Sequence, residues 1–265
     1  MKVIFIIGPP RSGTTLLGTI FSKVGSVAYI EEPNFIWRSS VPFRSHDVYT
    51  ENDLTPKKIQ IIKQRMASKV HFKSGLIKLV VEKTPANCLR LDYLRAIYPE
   101  AKFIFIYREK TDITKSMSKK WLKEEDANSL KLDAIKSHKV NHFRKMVRRF
   151  TALNMVEVVS YLPRIVGELL FLLNIKKRKF WGVRYKGWQH DVSKQMSVDE
   201  IVLKQVSECY KAIELFKIKL ESCDYMSIEY SDLISLKNSI RVENILGIKG
   251  IDQKLEELRV KTVVK

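Results

Sequence analysis

The first residues able to do chemistry lie near the start of the chain, where Gly8-Pro9-Pro10-Arg11-Ser12-Gly13-Thr14-Thr15 follows a short apolar run over residues 3–7. The spacing Gly-x4-Gly-x-Ser/Thr, between a strand and a helix, is that of a phosphate loop. Glycine lets such a turn approach an anion closely. Successive backbone N–H groups point inward, and the positive end of the helix opening near Gly13 faces the charge. Thr14 and Thr15 add hydroxyl donors. A phosphate-like anion is the expected ligand.

The departures from an ATP-binding loop carry as much information. The lysine that would grip the β- and γ-phosphates is absent: Thr14 follows Gly13, and the cation is Arg11, three residues earlier. The magnesium carboxylate that should end a buried strand is missing too, since Arg108 follows the apolar run FIFIY at residues 103–107. A cation there suits phosphate rather than metal. Ser116, eight residues beyond Arg108, falls one to two turns into the next helix, so both side chains can converge on one phosphate.

Two further places offer reactive groups. Glu31-Glu32-Pro33 follows an apolar run over residues 27–30, which sets these carboxylates beside the phosphate loop if the first two strands are neighbours. Lys83, in Glu82-Lys83-Thr84-Pro85, follows the run at residues 77–81 and precedes a helix start. The histidines are less informative. His138 and His142 have helical metal-ligand spacing but lie among Lys and Arg without an HExxH frame, which reads as a solvated basic face. His46 follows the second strand and is a candidate for lining a substrate pocket.

Together, the loop Pro10 to Thr15, the segment Glu82-Lys83-Thr84-Pro85, and Arg108 with Ser116 resemble the PAPS-dependent sulfotransferases, most closely the carbohydrate branch and its bacterial relatives. These motifs cover about the first 120 residues in order. IEYSDLI, residues 228–234, further resembles that family's Tyr-Glu-Asp-Leu segment. The resemblance implies that Arg11, Ser12, Gly13, Thr14 and Thr15 bind the 5′-phosphosulfate of PAPS. It implies that Arg108 and Ser116 bind the 3′-phosphate, and that Tyr230 lies near the adenine. Arg11 and Lys83 would stabilise the transferring group and the leaving charge. Glu32, with Glu31 in reserve, would take the proton of the acceptor hydroxyl. The family's proline two residues after the arginine is Lys110 here. PAPS is then the co-substrate, PAP the product, no metal is required, and the acceptor is a carbohydrate or glycolipid hydroxyl. The second reading is a nucleotide or small-molecule kinase with a degenerate phosphate loop.

The elements that must position these groups read as an α/β protein. Apolar runs at residues 3–7, 27–30, 77–81, 103–107 and 225–228 suit strands buried on both faces, hence a central parallel sheet flanked by helices. Helix starts are signalled at Thr55-Pro56, at Thr111 and by the capping box from Ser197 to Glu200. With 265 residues, 45% of them hydrophobic, one domain over 1–265 is expected. Residues 129–190 lack a strand signal and read as a helical insertion or lid. Within it, the apolar stretch 165–175 has basic flanks and is shorter than the roughly 20 residues that span a bilayer. It is either a core-facing helix or a surface for peripheral contact with an anionic membrane. Phe180, Trp181, Tyr185 and Trp188, among Arg184 and Lys186, suit either a sugar or adenine face or an anchor for that insertion.

The excess of 48 Lys and Arg over 29 Asp and Glu, +19 formally, favours anionic partners, but no nucleic-acid-binding signature accompanies it. Cys88, Cys209 and Cys223 form neither a metal pair nor a disulfide framework, which suits a reducing compartment. Gly8-Pro9-Pro10 ends the first apolar run too early for an export signal. A cytoplasmic protein, peripheral at most to the inner membrane surface, is expected.

Overall fold

Alternation along strands that are buried on both sides organises the molecule. In β1 (Lys2–Ile7), Val3, Phe5 and Ile7 enter one hydrophobic cluster while Ile4 and Ile6 enter another. In β4 (Lys102–Tyr107), Phe103 and Phe105 divide from Ile104 and Ile106 in the same way. Such a sheet needs cover on both faces. The cover is supplied by helices in a computed structural model that describes residues 2–71, 79–129 and 180–235, with positions 252, 253, 256, 257 and 260 beyond.

The sheet is completed by β2 (Val27–Glu31), β3 (Leu79–Lys83) and β5 (Tyr225–Glu229). All pairings are parallel, in the order β2-β3-β1-β4-β5. Helix α1 (Thr14–Ser22) covers one face through Leu17, Ile20 and Phe21. The other face is covered by α2 (Asn34–Arg38), α3 (Pro56–His71), α4 (Leu91–Ile97), α5 (Lys110–Ser129) and α7 (Val198–Lys217). Two short helices, α6 (Trp188–Ser193) and α8 (Tyr230–Ser235), complete the described set. The capping box at Ser197 is formed: its hydroxyl accepts from the Glu200 amide at 3.3 Å, and the Glu200 carboxylate accepts from the Ser197 amide at 2.8 Å.

The α/β class and the parallel sheet are as the sequence implies, but two local expectations are corrected. The first two strands are not neighbours, because β3 lies between them. The third strand also runs on through Glu82 and Lys83, since Phe5 pairs with Glu82 and Ile6 with Lys83. Lys83 is therefore the last strand residue rather than the first loop residue. The turn after it, Pro85–Leu89, is a 3-10 helix.

Of the expected insertion, residues 130–179 lie outside the described residues, including the apolar stretch 165–175. The aromatic segment after it packs onto the described body. Tyr185 is buried and donates to Asp191 at 2.6 Å, Trp188 donates to the Ser45 carbonyl at 3.1 Å, and Phe180 packs between Trp121 and Trp188. Among the described residues, no helix is long and apolar enough to cross a membrane.

Candidate functional site at the carboxyl edge of the sheet

The chain leaves β1 toward β2 on one side and reaches β4 on the other, so the strand order reverses around β1. Crevices at such a switch point, outside the strand carboxyl ends, are where doubly wound sheets take ligands. The loop after β1 and Arg108 after β4 flank that point.

The loop is held in a conformation that ordinary side chains resist. Gly13 caps α1 with φ +105°, and a Cβ built there would stand 2.5 Å from Cδ2 of the Tyr230 ring. Only glycine meets both demands. Arg11, at φ +70°, is left-handed without being glycine, a cost of about 1–3 kcal/mol of the kind kept at ligand clamps. Ser12 and Thr14 are buried and Thr15 is exposed.

Arg11 joins the two predicted halves. Its Nε donates to the Ser116 hydroxyl at 3.1 Å, while its carbonyl accepts from Arg108 Nη1 at 3.1 Å. The Arg108 guanidinium also lies 4.3 Å from the centre of the Tyr230 ring, a cation–π distance. Tyr230 thus sits between Gly13 and Arg108, as the first residue of α8. Two buried polar atoms here have no partner among the described residues, Ser12 Oγ and Arg108 Nε. A cradle with orphaned donors and no room for a Cβ fits an anionic group that the chain itself does not supply.

Arg108 is fixed by a residue that sequence reasoning missed. The Tyr210 hydroxyl on α7 accepts from the Arg108 amide at 2.9 Å and donates to the Arg108 carbonyl at 2.8 Å. Its ring stacks on Tyr107, with centroids 5.6 Å apart. No local pattern marks this contact, because the partners are 102 residues apart.

The second group of residues converges through Lys83. Although β2 is not beside β1, Glu31 pairs with Lys83 across the β2–β3 ladder, and the Glu32 amide donates to the Lys83 carbonyl at 2.9 Å. The Lys83 side chain is 1% exposed, and its ammonium donates to Glu31 and Glu32 at 2.9 Å each. Glu32 holds φ +47°, a second strained non-glycine position. Strand alternation turns Lys83 toward the α1 face and Glu82 toward the opposite one.

Glu82 was not singled out by sequence. It is fully buried, with its carboxylate accepting from Thr84 Oγ1 at 2.5 Å, Asn87 Nδ2 at 2.6 Å and Trp37 Nε1 at 3.2 Å. Burial outweighs these donors and pushes its pKa up to about 7. Because the folded value is raised, the stabilising contribution is complete below about pH 4.5 and is lost as pH rises through about 7. The swing is on the order of 3 kcal/mol at 1.36 kcal/mol per pH unit. Urea unfolding at pH 5 and pH 8 should show this loss in the wild type and a clearly smaller one in Glu82→Gln. Equal losses in the two chains would reject it.

Among the histidines, His46 is partly buried, with its pKa lowered by burial and then by Arg44. His190 is exposed, while His138 and His142 lie outside the described residues. Among the described residues, no group of three or more His, Cys, Asp or Glu side chains is arranged to hold a metal ion.

Fold and site define a parallel α/β protein with a glycine-bearing turn at its switch point. A family model described as "Sulfotransferase family" matches residues 3–160, more than half of the chain, and the protein belongs to that family. Two solved structures align with the chain, the first of them sharing its fold. The sulfotransferase domain from the olefin synthase of Synechococcus PCC 7002 aligns at 14% identity and TM-score 0.51, covering 96% of this chain and 76% of that one. The sulfotransferase domain from the curacin biosynthetic pathway aligns at 14% identity and TM-score 0.46, covering 99% and 74%. Comparison with curated proteins gives no match. Family membership makes sulfuryl transfer the general activity and disfavours the kinase alternative.

Proposed function

We propose that the chain moves the sulfuryl group of PAPS to a hydroxyl on a carbohydrate or glycolipid, releasing PAP, with Glu32 as general base and without a metal. The observation that carries this reading is the union of two cationic half-sites: Arg11 on Ser116, and Arg108 on the Arg11 carbonyl and the Tyr230 ring. PAPS carries anionic groups on both sides of its ribose and matches a site with two halves. ATP concentrates its charge in one chain and relies on carboxylate-held magnesium, and the end of β4 offers Arg108 instead.

When bound, PAPS supplies an activated sulfuryl group whose bridging oxygen leaves with the phosphate. Arg11 and the loop amides hold that leaving charge, and Lys83 steadies the sulfuryl oxygens during in-line transfer. Glu32 accepts the acceptor's proton as its oxygen bonds to sulfur. The paired hydrogen bonds from Lys83 orient both carboxylates. The left-handed backbone at Glu32, strained and retained, supports Glu32 over Glu31 as the base. Ser12, Gly13, Thr14 and Thr15 line the phosphosulfate side, and Ser116 and Tyr230 the 3′-phosphate and adenine side. A cytoplasmic location and a peripheral membrane contact through residues 165–175 belong to the same proposal.

Calorimetric titration with PAP, PAPS and Mg-ATP at moderate salt tests the donor assignment. PAP should bind without magnesium and weaken about 10- to 100-fold in Arg108→Ala, the usual cost of charge-assisted hydrogen bonds. Tight Mg-ATP binding without PAP binding would overturn the reading.

A further inference from the structure

Beyond the phosphate loop, buried donors on charged side chains also go unmatched around α2 and α4. Arg38, which ends α2, is 6% exposed; its Nη2 donates to the carbonyls of Pro42 and Arg44 at 3.3 and 2.7 Å. Its Nη1 is buried without a partner among the described residues. Arg90, just before α4, is 1% exposed; its Nε donates to Asn87 at 2.7 Å and its Nη2 to Asn34 at 3.3 Å. Its Nη1 also has no partner among the described residues, and neither does the hydroxyl of buried Tyr49. The guanidinium of Arg90 lies 5.1 Å from the centre of the Tyr49 ring. Arg184 feels the charges of Asp47, Arg38 and Tyr49, and burial lowers its pKa. These four side chains are therefore linked as electrostatic or ring neighbours through Tyr49 and Arg184.

The nearby acids are occupied. Asp53 takes two bonds from Arg44, at 3.1 and 2.5 Å, and Glu82 takes its three donors on the core side of β3. Asp47 accepts the Arg184 amide at 2.9 Å. A buried donor on a charged group left unmade is costly, and folds retain few of them without a ligand or water to receive the bond. Two guanidinium arms and a phenol in that state at one place point to an acceptor brought from outside.

We propose that Arg38, Arg90, Arg184 and Tyr49 bind an anionic oxygen group, a carboxylate or sulfate ester, carried by the sulfuryl acceptor. This rests on the acceptor being a sugar hydroxyl, as proposed above, and narrows it to an acidic sugar. The connection to the reacting end is short. Asn34 accepts from Arg90, and its amide donates to the Glu32 carbonyl at 2.7 Å. An acceptor held by its anion at Arg90 is thereby registered against the residue proposed to take its proton. Arg184 is partly buried while Arg38, Arg90 and Tyr49 are buried, so the anion enters past Arg184 to reach the inner donors.

Methyl glucuronide and N-acetylglucosamine 6-sulfate, compared with neutral methyl glucoside by ligand-observed NMR titration, test this. The acidic sugars should bind at least about tenfold more tightly than the neutral one, and the tighter of the two identifies the anion. Tyr49→Phe, which removes one hydroxyl, and Arg184→Gln should each weaken acidic-sugar binding about 5- to 10-fold and leave PAP affinity unchanged. Equal binding of acidic and neutral sugars overturns the inference, whether or not the variants fold. So does unchanged acidic-sugar affinity in both folded variants, which would assign the donors to water. Failure of the donor reading looks different: PAP does not bind, while acidic sugars still bind in a Tyr49-dependent way.

Discussion

A Glu32→Gln chain is expected to keep its affinity for PAP and to lose about 10²- to 10⁴-fold in kcat for sulfate transfer, the usual worth of a positioned general base. Glutamine preserves the size of the side chain and can still accept from Lys83, which now donates at 2.9 Å. The left-handed turn at this position is retained, because the exchange does not touch the backbone. What disappears is the capacity to take a proton. Glu31→Gln is the control: its carboxylate has the same 2.9 Å bond to Lys83 but sits at the end of the β2 ladder, and its loss should cost less than about tenfold. Transfer from labelled PAPS to a glycan panel, under single-turnover conditions, reads both. Full activity in Glu32→Gln would sink the proposed base and leave the donor assignment standing.

The second large effect is expected at Lys83. Lys83→Met keeps an unbranched chain of similar length in a position that is 1% exposed, so packing in β3 survives. The charge is lost, and with it the stabilisation of negative charge that builds as the sulfuryl group moves. Removing one such preorganised donor typically costs about 10²- to 10³-fold in kcat. The two glutamates remain 52% and 46% exposed and can take water in place of the ammonium, so unfolding stability should change far less than rate. The effect should fall on kcat with KM nearly unchanged, because the contact tightens only at the transition state. A kcat within tenfold of wild type would remove Lys83 from the chemistry and leave it as the orienter of Glu31 and Glu32.

The parts of this site readable in the sequence are the local ones. A strand, a glycine-bearing turn and a helix lie within about twenty residues at the start of the chain, and their chemistry shows in their order. Arg108 and Ser116 are legible for the same reason, since one strand end and one helix fix both. Strand order was not legible: nothing in the run over residues 27–30 says that β3, some fifty residues later, will lie between it and β1. Hydropathy also ends the third strand too soon. Glu82 and Lys83 look like loop residues, yet pairing to Phe5 and Ile6 carries the strand through them. Glu82 escaped notice because its three donors, Trp37, Thr84 and Asn87, come from two separate stretches of chain and meet only when the sheet forms.

Tyr210 belongs to the same long-range class, and its position in α7 has a mechanical meaning. Near the start of that helix, Lys204 bonds to Asp191 at 2.7 Å and Gln205 to the Trp181 carbonyl at 2.9 Å, holding the segment that carries Arg184. About a turn and a half later, the Tyr210 hydroxyl grips both backbone polar groups of Arg108. One stiff rod therefore holds the segment of Arg184 at one point and Arg108 at another. A tilt of that rod cannot move one without moving the other, so Arg184's segment and Arg108 are coupled mechanically rather than by direct touch.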